Sequence, residues 1–197
     1  MYEYRRMTPQ QRKAAVEERG ALGFPWHRPP HPESEEGWYL ISAASYEHQH
    51  HFQSPAELTA LKRRLLEALG GLSLPCAGWV VMPNHYHLLT RVPELSVLGR
   101  ALGAVHGRSS RYANQRDRTP GRRVWFKYSD RKVRSQRHYY TCLHYILINP
   151  MKHRFAKKLP DWPWSCVHSV IAQQGQQWVE DLQRDYPLRD FGHGSDD

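Results

Sequence analysis

Leu58, Leu61, Leu65, Leu66 and Leu69 recur at helical spacing behind Ser54-Pro55 and before Gly70-Gly71, which predicts a helix over 54–69. An aromatic and apolar run over 38–46 reads as a strand, and the compact apolar run 77–82 as a buried one. Pro83-Asn84 marks a turn, after which 85–92 reads as another strand. Further helices are expected over 95–114 and 135–148, the second ended by the restriction that Pro150 places on Asn149. Between them lie an Arg/Pro/Gly-rich loop at 116–123 and a short strand or extended segment at 124–128. Trp162-Pro163-Trp164-Ser165 leads into a short helix through about Gln174, with one more helix beyond Gly175 before a polar end at 193–197. Toward the start, 8–19 reads as a polar helix with Thr8 as N-cap and Pro9 at its first position, and the Pro- and His-rich 24–36 as an extended connector. The order predicts an α+β fold, a central antiparallel sheet with helices packed on it. Residues 1–36 form an extension, 37–174 the domain and 175–197 a tail.

The length of 197 residues suits one such domain. No apolar run approaches the ~18 residues of a membrane helix, and the N-terminal stretch lacks the apolar segment of a secretory signal. Cys76, Cys142 and Cys166 are an odd number without metal-site spacing, as expected of reduced thiols in a cytoplasmic protein. They have no activating neighbour and read as packing residues. The expected partner is not a membrane.

Charge changes the picture. The formal net charge is +9, and residues 104–137 hold eleven basic side chains against Asp117 and Asp130, so this stretch alone carries the surplus. That is the footprint of a polyanion, most often nucleic acid. Arg108, Arg111, Arg122, Arg123, Lys127, Arg131 and Arg134 are the expected backbone contacts, with Trp125 or Tyr128 placed to stack an unpaired base. For Trp125 a place in the core is as good a reading.

Two histidines at i and i+2, His85 and His87, point to one face of a strand, and Tyr86 to the other. Neutral imidazoles on one rigid strand make half of a divalent-metal site, although an isolated His-x-His is usually just polar surface. Tyr145 and Asn149 share a helix face four residues apart. The Asn149 amide oxygen is a candidate third ligand, and Tyr145 would stand beside whatever that metal holds. Taken singly, Tyr145 reads as a core aromatic and Asn149 as a helix stop. Tyr139 and Tyr140 compete for any nucleophilic role. His48, His50 and His51 offer a second metal site, but a solvated loop is the better reading.

Pro83-Asn84-His85-Tyr86-His87, Tyr145-Ile146-Leu147-Ile148-Asn149-Pro150 and Asp161-Trp162-Pro163-Trp164-Ser165 together resemble the single-tyrosine transposases of bacterial insertion sequences. Within them the chain is most similar to the REP-associated tyrosine transposases, the branch with asparagine four residues after the tyrosine. Trp38-Tyr39-Leu40-Ile41 and Trp125-Phe126-Lys127-Tyr128-Ser129-Asp130 match in order, so the resemblance covers about 37–164. It implies a ferredoxin/RRM-like His-hydrophobe-His (HUH) endonuclease domain, with His85, His87 and Asn149 as metal ligands and Tyr145 as nucleophile. Two departures stand out: Tyr86 fills the hydrophobe position, and His153-Arg154 replaces the Ala-Gly or His-Gly that family members often carry.

Such an enzyme joins the phenol to a DNA phosphate as a 5′-phosphotyrosine, retaining the ester so that a second strand end can be joined. Neutral ligands would leave Mg²⁺ or Mn²⁺ its double charge to polarise that phosphate. The expected substrate is single-stranded or hairpin DNA, and the protein a monomer or homodimer. The rivals are a domesticated hairpin-binding protein without chemistry and a phosphodiesterase that uses water.

Overall fold

The computed structural model describes residues 36–188 together with Thr8, Gln10, Gln11, Lys13, Ala14 and Glu17. The chain forms two compact units, Met1–Ser34 and Glu35–Asp197. In the first, the Thr8 hydroxyl accepts from the Gln11 N–H at 3.3 Å and the Gln11 amide oxygen from the Thr8 N–H at 2.8 Å, the reciprocal cap of a helix start. The remainder of the expected 8–19 helix, the connector before Glu36 and the polar end at 193–197 lie outside the described residues.

The second unit is α+β. Strand β1 (Gly37–Ala44) is followed by α1 (Pro55–Gly70), β2 (Cys76–Val81), β3 (His85–Val92), α2 (Leu95–Arg116) and β4 (Ser129–Lys132). The sheet order is β2-β3-β1-β4 with every neighbouring pair antiparallel, the split βαβ arrangement of ferredoxin-like domains. Helices α3 (Gln136–Lys152), α4 (Val167–Gln174) and α5 (Gln176–Asp185) follow. Among the described residues no helix is long and apolar enough to cross a membrane.

Alternation along β3 sorts the core. Tyr86 and Leu88 face the layer of α1 and α2, where Leu58, Leu61, Leu98 and Leu102 are buried and the Tyr86 hydroxyl meets His106 at 2.8 Å. His85 and His87 face the opposite layer, which α3 covers. Helix α1 starts on a full capping box, with the Ser54 hydroxyl accepting from the Glu57 N–H and the Glu57 carboxylate from the Ser54 N–H. Glu57 also pairs with Arg116, tying the start of α1 to the end of α2.

Four expectations are corrected. The strand beside β1 is the polar Ser129–Lys132, whereas within 124–128 only Trp125 makes a bridge, to Ser45. Val124 and Trp125 bury their side chains without a ladder, and the polar segment suits an edge strand exposed on one side. Helix α3 does not stop before Pro150 but runs through it to Lys152. Pro150 sits in the last turn, where one donor is lost, and its carbonyl is taken by the N–H groups of Phe155 (2.8 Å) and Ala156 (3.2 Å). Residue 175 is no domain boundary, because Val179 and Leu182 of α5 are buried and the Tyr186 carbonyl meets His144 at 2.8 Å within the same unit. His51, placed in a solvated loop, is only 6% exposed.

The turn after α3 carries the chain's departure at Arg154, whose φ of 61° lies in the left-handed region that glycine adopts without strain. Arg154→Gly is expected to raise stability by about 1 kcal/mol in urea denaturation. Helix α3 also sits close on the sheet at Gly78, where an added Cβ would lie 2.8 Å from Leu143 Cδ1 and 3.4 Å from Ile146 Cδ1. Gly78→Val overfills that contact and is expected to cost about 1–3 kcal/mol by the same measurement.

Candidate active site

His85 and His87 are 3% and 1% exposed, with ring centroids 5.2 Å apart. Each is oriented from behind. The His87 Nδ1 lies 2.7 Å from the Ser42 hydroxyl, its register partner on β1, and the His85 Nδ1 lies 2.7 Å from the Asn84 side-chain oxygen. These contacts hold the rings with the His85 Nε2 toward α3 and the His87 ring beside Tyr145, the arrangement in which an outer partner sets tautomer and basicity of a ligating imidazole.

From α3, the buried Asn149 places its Oδ1 2.8 Å from His85 Nε2, and its Nδ2 makes no hydrogen bond. The Tyr145 ring stands 5.0 Å from that of His87. His153 lies 4.7 Å from the His85 ring, and the Lys152 ammonium 5.1 Å above the Tyr145 ring. Tyr145, Asn149 and His153 are spaced by four, one stripe along α3 that ends on its C-cap.

Burial first, then the neighbouring His153, pushes the His85 pKa down to about 3; burial and the His85 ring hold His87 well below its ordinary value. Both are therefore neutral at physiological pH. A neutral imidazole carries one N–H, yet both nitrogens of His85 face an amide oxygen, those of Asn84 and Asn149. Asn84 is held with its Oδ1 toward His85 because its Nδ2 donates to the His48 carbonyl at 3.2 Å. With the Nδ1–H donated there, Nε2 and Asn149 Oδ1 are two acceptors face to face, which a cation between them would reconcile, as would turning the Asn149 amide without one. Their 2.8 Å separation is near the ~3 Å edge between adjacent ligands of an octahedral ion with ~2.1 Å bonds. The set His85, His87, Asn149 thus fits Mg²⁺ or Mn²⁺. Among the described residues no three His, Cys, Asp or Glu side chains converge on a cation site, so any such site here needs the amide, and the 48–51 loop is no second one.

Tyr139 and Tyr140 belong elsewhere, packed on Trp38, Trp178 and Tyr186 at the start of α3. The three cysteines are free, their thiols pushed by burial up to about 12 for Cys76 and Cys142 and about 11 for Cys166, which suits packing rather than chemistry.

The basic stretch divides. Arg108 and Arg111 are exposed on α2, as are Arg131 on β4 and Lys127 and Arg134 beside it. Arg122 is held by Asp117 at 2.6 Å and by Asn114 at 3.1 Å. Arg123 lies between Tyr46 and Phe126, 4.9 and 4.8 Å from their centroids. Tyr128 is half-buried. Trp125 is a correction: only 6% exposed, it stacks on His106 and Phe52 at 4.7 and 5.4 Å and donates to the Ser109 hydroxyl at 2.9 Å. A ring sandwiched in the core is closed to a nucleobase.

Ser42 and Lys152 carry no signal of their own in the sequence, and Asn84 and His153 stand out there only as a turn and a departure, not as groups of the site. His153 and Lys152 continue the helical stripe of Tyr145 and Asn149, a signal hidden by reading Pro150 as a stop. Ser42 depends on the β1–β3 register, which no local pattern specifies.

No family model matches the chain. The REP-associated tyrosine transposase of Escherichia coli K12 is 29% identical over 100 residues, 48% of this chain and 55% of that protein, so the match spans about half the length of the curated relative. A REP-associated tyrosine transposase solved bound to a REP hairpin superimposes with a TM-score of 0.57 at 19% identity, over 74% of this chain and 86% of that one. That structural likeness shows the fold, and the relative shares sequence within it. In fold and in sequence the chain is similar to the REP-associated tyrosine transposases.

Proposed function

We propose that the protein is a metal-dependent single-strand DNA endonuclease and strand transferase, a transposase that acts on hairpins of REP type and forms a 5′-phosphotyrosine at Tyr145. The observation that carries this reading is the single buried cluster in which the Tyr145 ring lies 5.0 Å from His87 and Asn149 Oδ1 2.8 Å from His85. His85, His87 and Asn149 would hold Mg²⁺ or Mn²⁺, which when bound supplies positive charge to the non-bridging oxygens of the scissile phosphate.

The chain's own groups account for the rest. Ser42 and Asn84 keep both imidazoles in the ligating orientation. The phenol oxygen of Tyr145 forms a bond to phosphorus as the bond from phosphorus to the 3′-oxygen breaks. The phenol gives up its proton and the leaving oxygen takes one up, so the step is balanced without an oxidant or a water. The 3′-hydroxyl of another strand reverses it with a new partner. Lys152, exposed while its ammonium covers the Tyr145 ring, is placed to swing aside and meet the incoming phosphate. Tyr145 and the histidines meet within one chain, which supports cleavage in cis. Arg108, Arg111, Arg131 and Arg134 would provide backbone contacts, and three free cysteines are in keeping with a cytoplasmic protein.

A hairpin-binding protein without chemistry is the second reading, favoured by a Tyr145 that is 1% exposed. It leaves unexplained why two neutral imidazoles, an amide and a phenol share one site. A DNA hairpin with a 5′ single-stranded tail, incubated with Mn²⁺, is expected to form a covalent protein–DNA adduct that Tyr145→Phe abolishes and Tyr139→Phe and Tyr140→Phe preserve. Binding without any adduct would establish the second reading. A free 5′-phosphate product without an adduct would mean that water is the nucleophile.

A further inference from the structure

The charge surplus of 104–137 draws attention from a shorter strip that flanks the site itself. Residues 152–158, Lys-His-Arg-Phe-Ala-Lys-Lys, carry four permanent positive charges and no carboxylate. Lys152, Arg154, Lys157 and Lys158 are exposed, and so is Phe155, at 38%. Among the described residues only Leu72 and Tyr112 are other large hydrophobic side chains with comparable exposure.

Phe155 is a built feature. Its N–H donates at 2.8 Å to the carbonyl of Pro150, the residue after Asn149, so its backbone is anchored one residue from a candidate ligand. Its ring lies 5.5 Å from that of Trp162 and 5.8 Å from that of His50. Trp162 is itself fixed, 8% exposed, with its indole N–H donating at 2.9 Å to the Val81 carbonyl. One flank of the Phe155 ring therefore rests on a rigid aromatic wall while the side chain keeps an open surface, in a stretch of chain whose other exposed side chains are cations.

We propose that Phe155 is a stacking ledge for one unpaired nucleobase of the substrate strand, next to the phosphate that Tyr145 attacks. The proposal rests on the strand-transfer reading and adds to it the residue that positions the base. A flat π face suits any base, and the surrounding charges suit the phosphates on either side of it. Anchoring at Pro150 keeps the ledge in step with Asn149, so that seating a base there registers the strand against Tyr145.

Binding of the tailed hairpin is measured by fluorescence anisotropy in a Tyr145→Phe background, so that chemistry does not contribute. The tail is scanned with single abasic sites. Phe155→Ala and Phe155→Leu are both expected to weaken binding about tenfold, and Phe155→Trp to retain it; the leucine keeps an apolar cover over Trp162, so a shared loss with an unchanged melting temperature reports the aromatic face. One abasic position is expected to cost the same factor in the Phe155 protein and nothing further in Phe155→Leu. Equal weakening at every abasic position, or full binding by Phe155→Leu, would overturn the ledge. An adduct in the Tyr145 protein without Phe155-dependent binding defeats the ledge alone. A ledge without any adduct supports the stacking and defeats the strand-transfer reading alone.

Discussion

A helix shows a side chain to a given neighbour every three or four residues, and a strand every second one, so the two share only a narrow line of contact. In this protein that line is where α3 crosses β3. Gly78 lets Leu143 and Ile146 settle against the sheet, which brings Tyr145 and Asn149 onto His87 and His85. The rest of the domain serves that docking. The α1 and α2 layer buries the far face of β3 through Tyr86 and Leu88, and β1 contributes Ser42 opposite His87. A loosened α3 would separate the phenol from the imidazoles without altering any of them.

The electrostatics of the site follow from its burial. Desolvation keeps both imidazoles neutral, and Asn149 adds another uncharged donor atom, so the cluster offers lone pairs without offering charge. Positive charge is instead exposed on Lys152, Arg154, Lys157 and Lys158, which follow Asn149 in the chain, and on other elements at Arg108, Arg111, Lys127, Arg131 and Arg134. That division is the one the proposed reaction calls for: the surface charge would attract an anionic strand, and the buried set would act on one phosphate.

Much of this is legible in the sequence because several signals agree locally. The leucine spacing of α1, its Ser54 cap and the terminating glycines all point one way, and the i, i+2 histidines with the i, i+4 Tyr145 and Asn149 name the four central groups. What is not legible depends on competition between levels. Pro150 is a helix breaker by local chemistry, yet one lost donor near a helix end is outweighed by the burial of α3, and the stripe reaches His153. The aromatic 124–128 looks more strand-like than Ser129–Lys132, but side-chain burial and ladder pairing are separate matters at a sheet edge. Trp125 interleaves with arginines in sequence while its ring is enclosed by His106 and Phe52 in space. The strip at 152–158 escapes regional charge counting because acidic residues elsewhere in the chain offset it.

The central claim, that a divalent ion and the Tyr145 phenol share one site, is tested most directly by paramagnetic relaxation. Mn²⁺ titrated into protein carrying isotope-labelled tyrosine should broaden the Tyr145 ring signals first and most strongly, ahead of those of Tyr139 and Tyr140, and this selectivity should vanish in His87→Ala. Broadening that leaves Tyr145 sharp, or that persists unchanged in His87→Ala, would contradict the account.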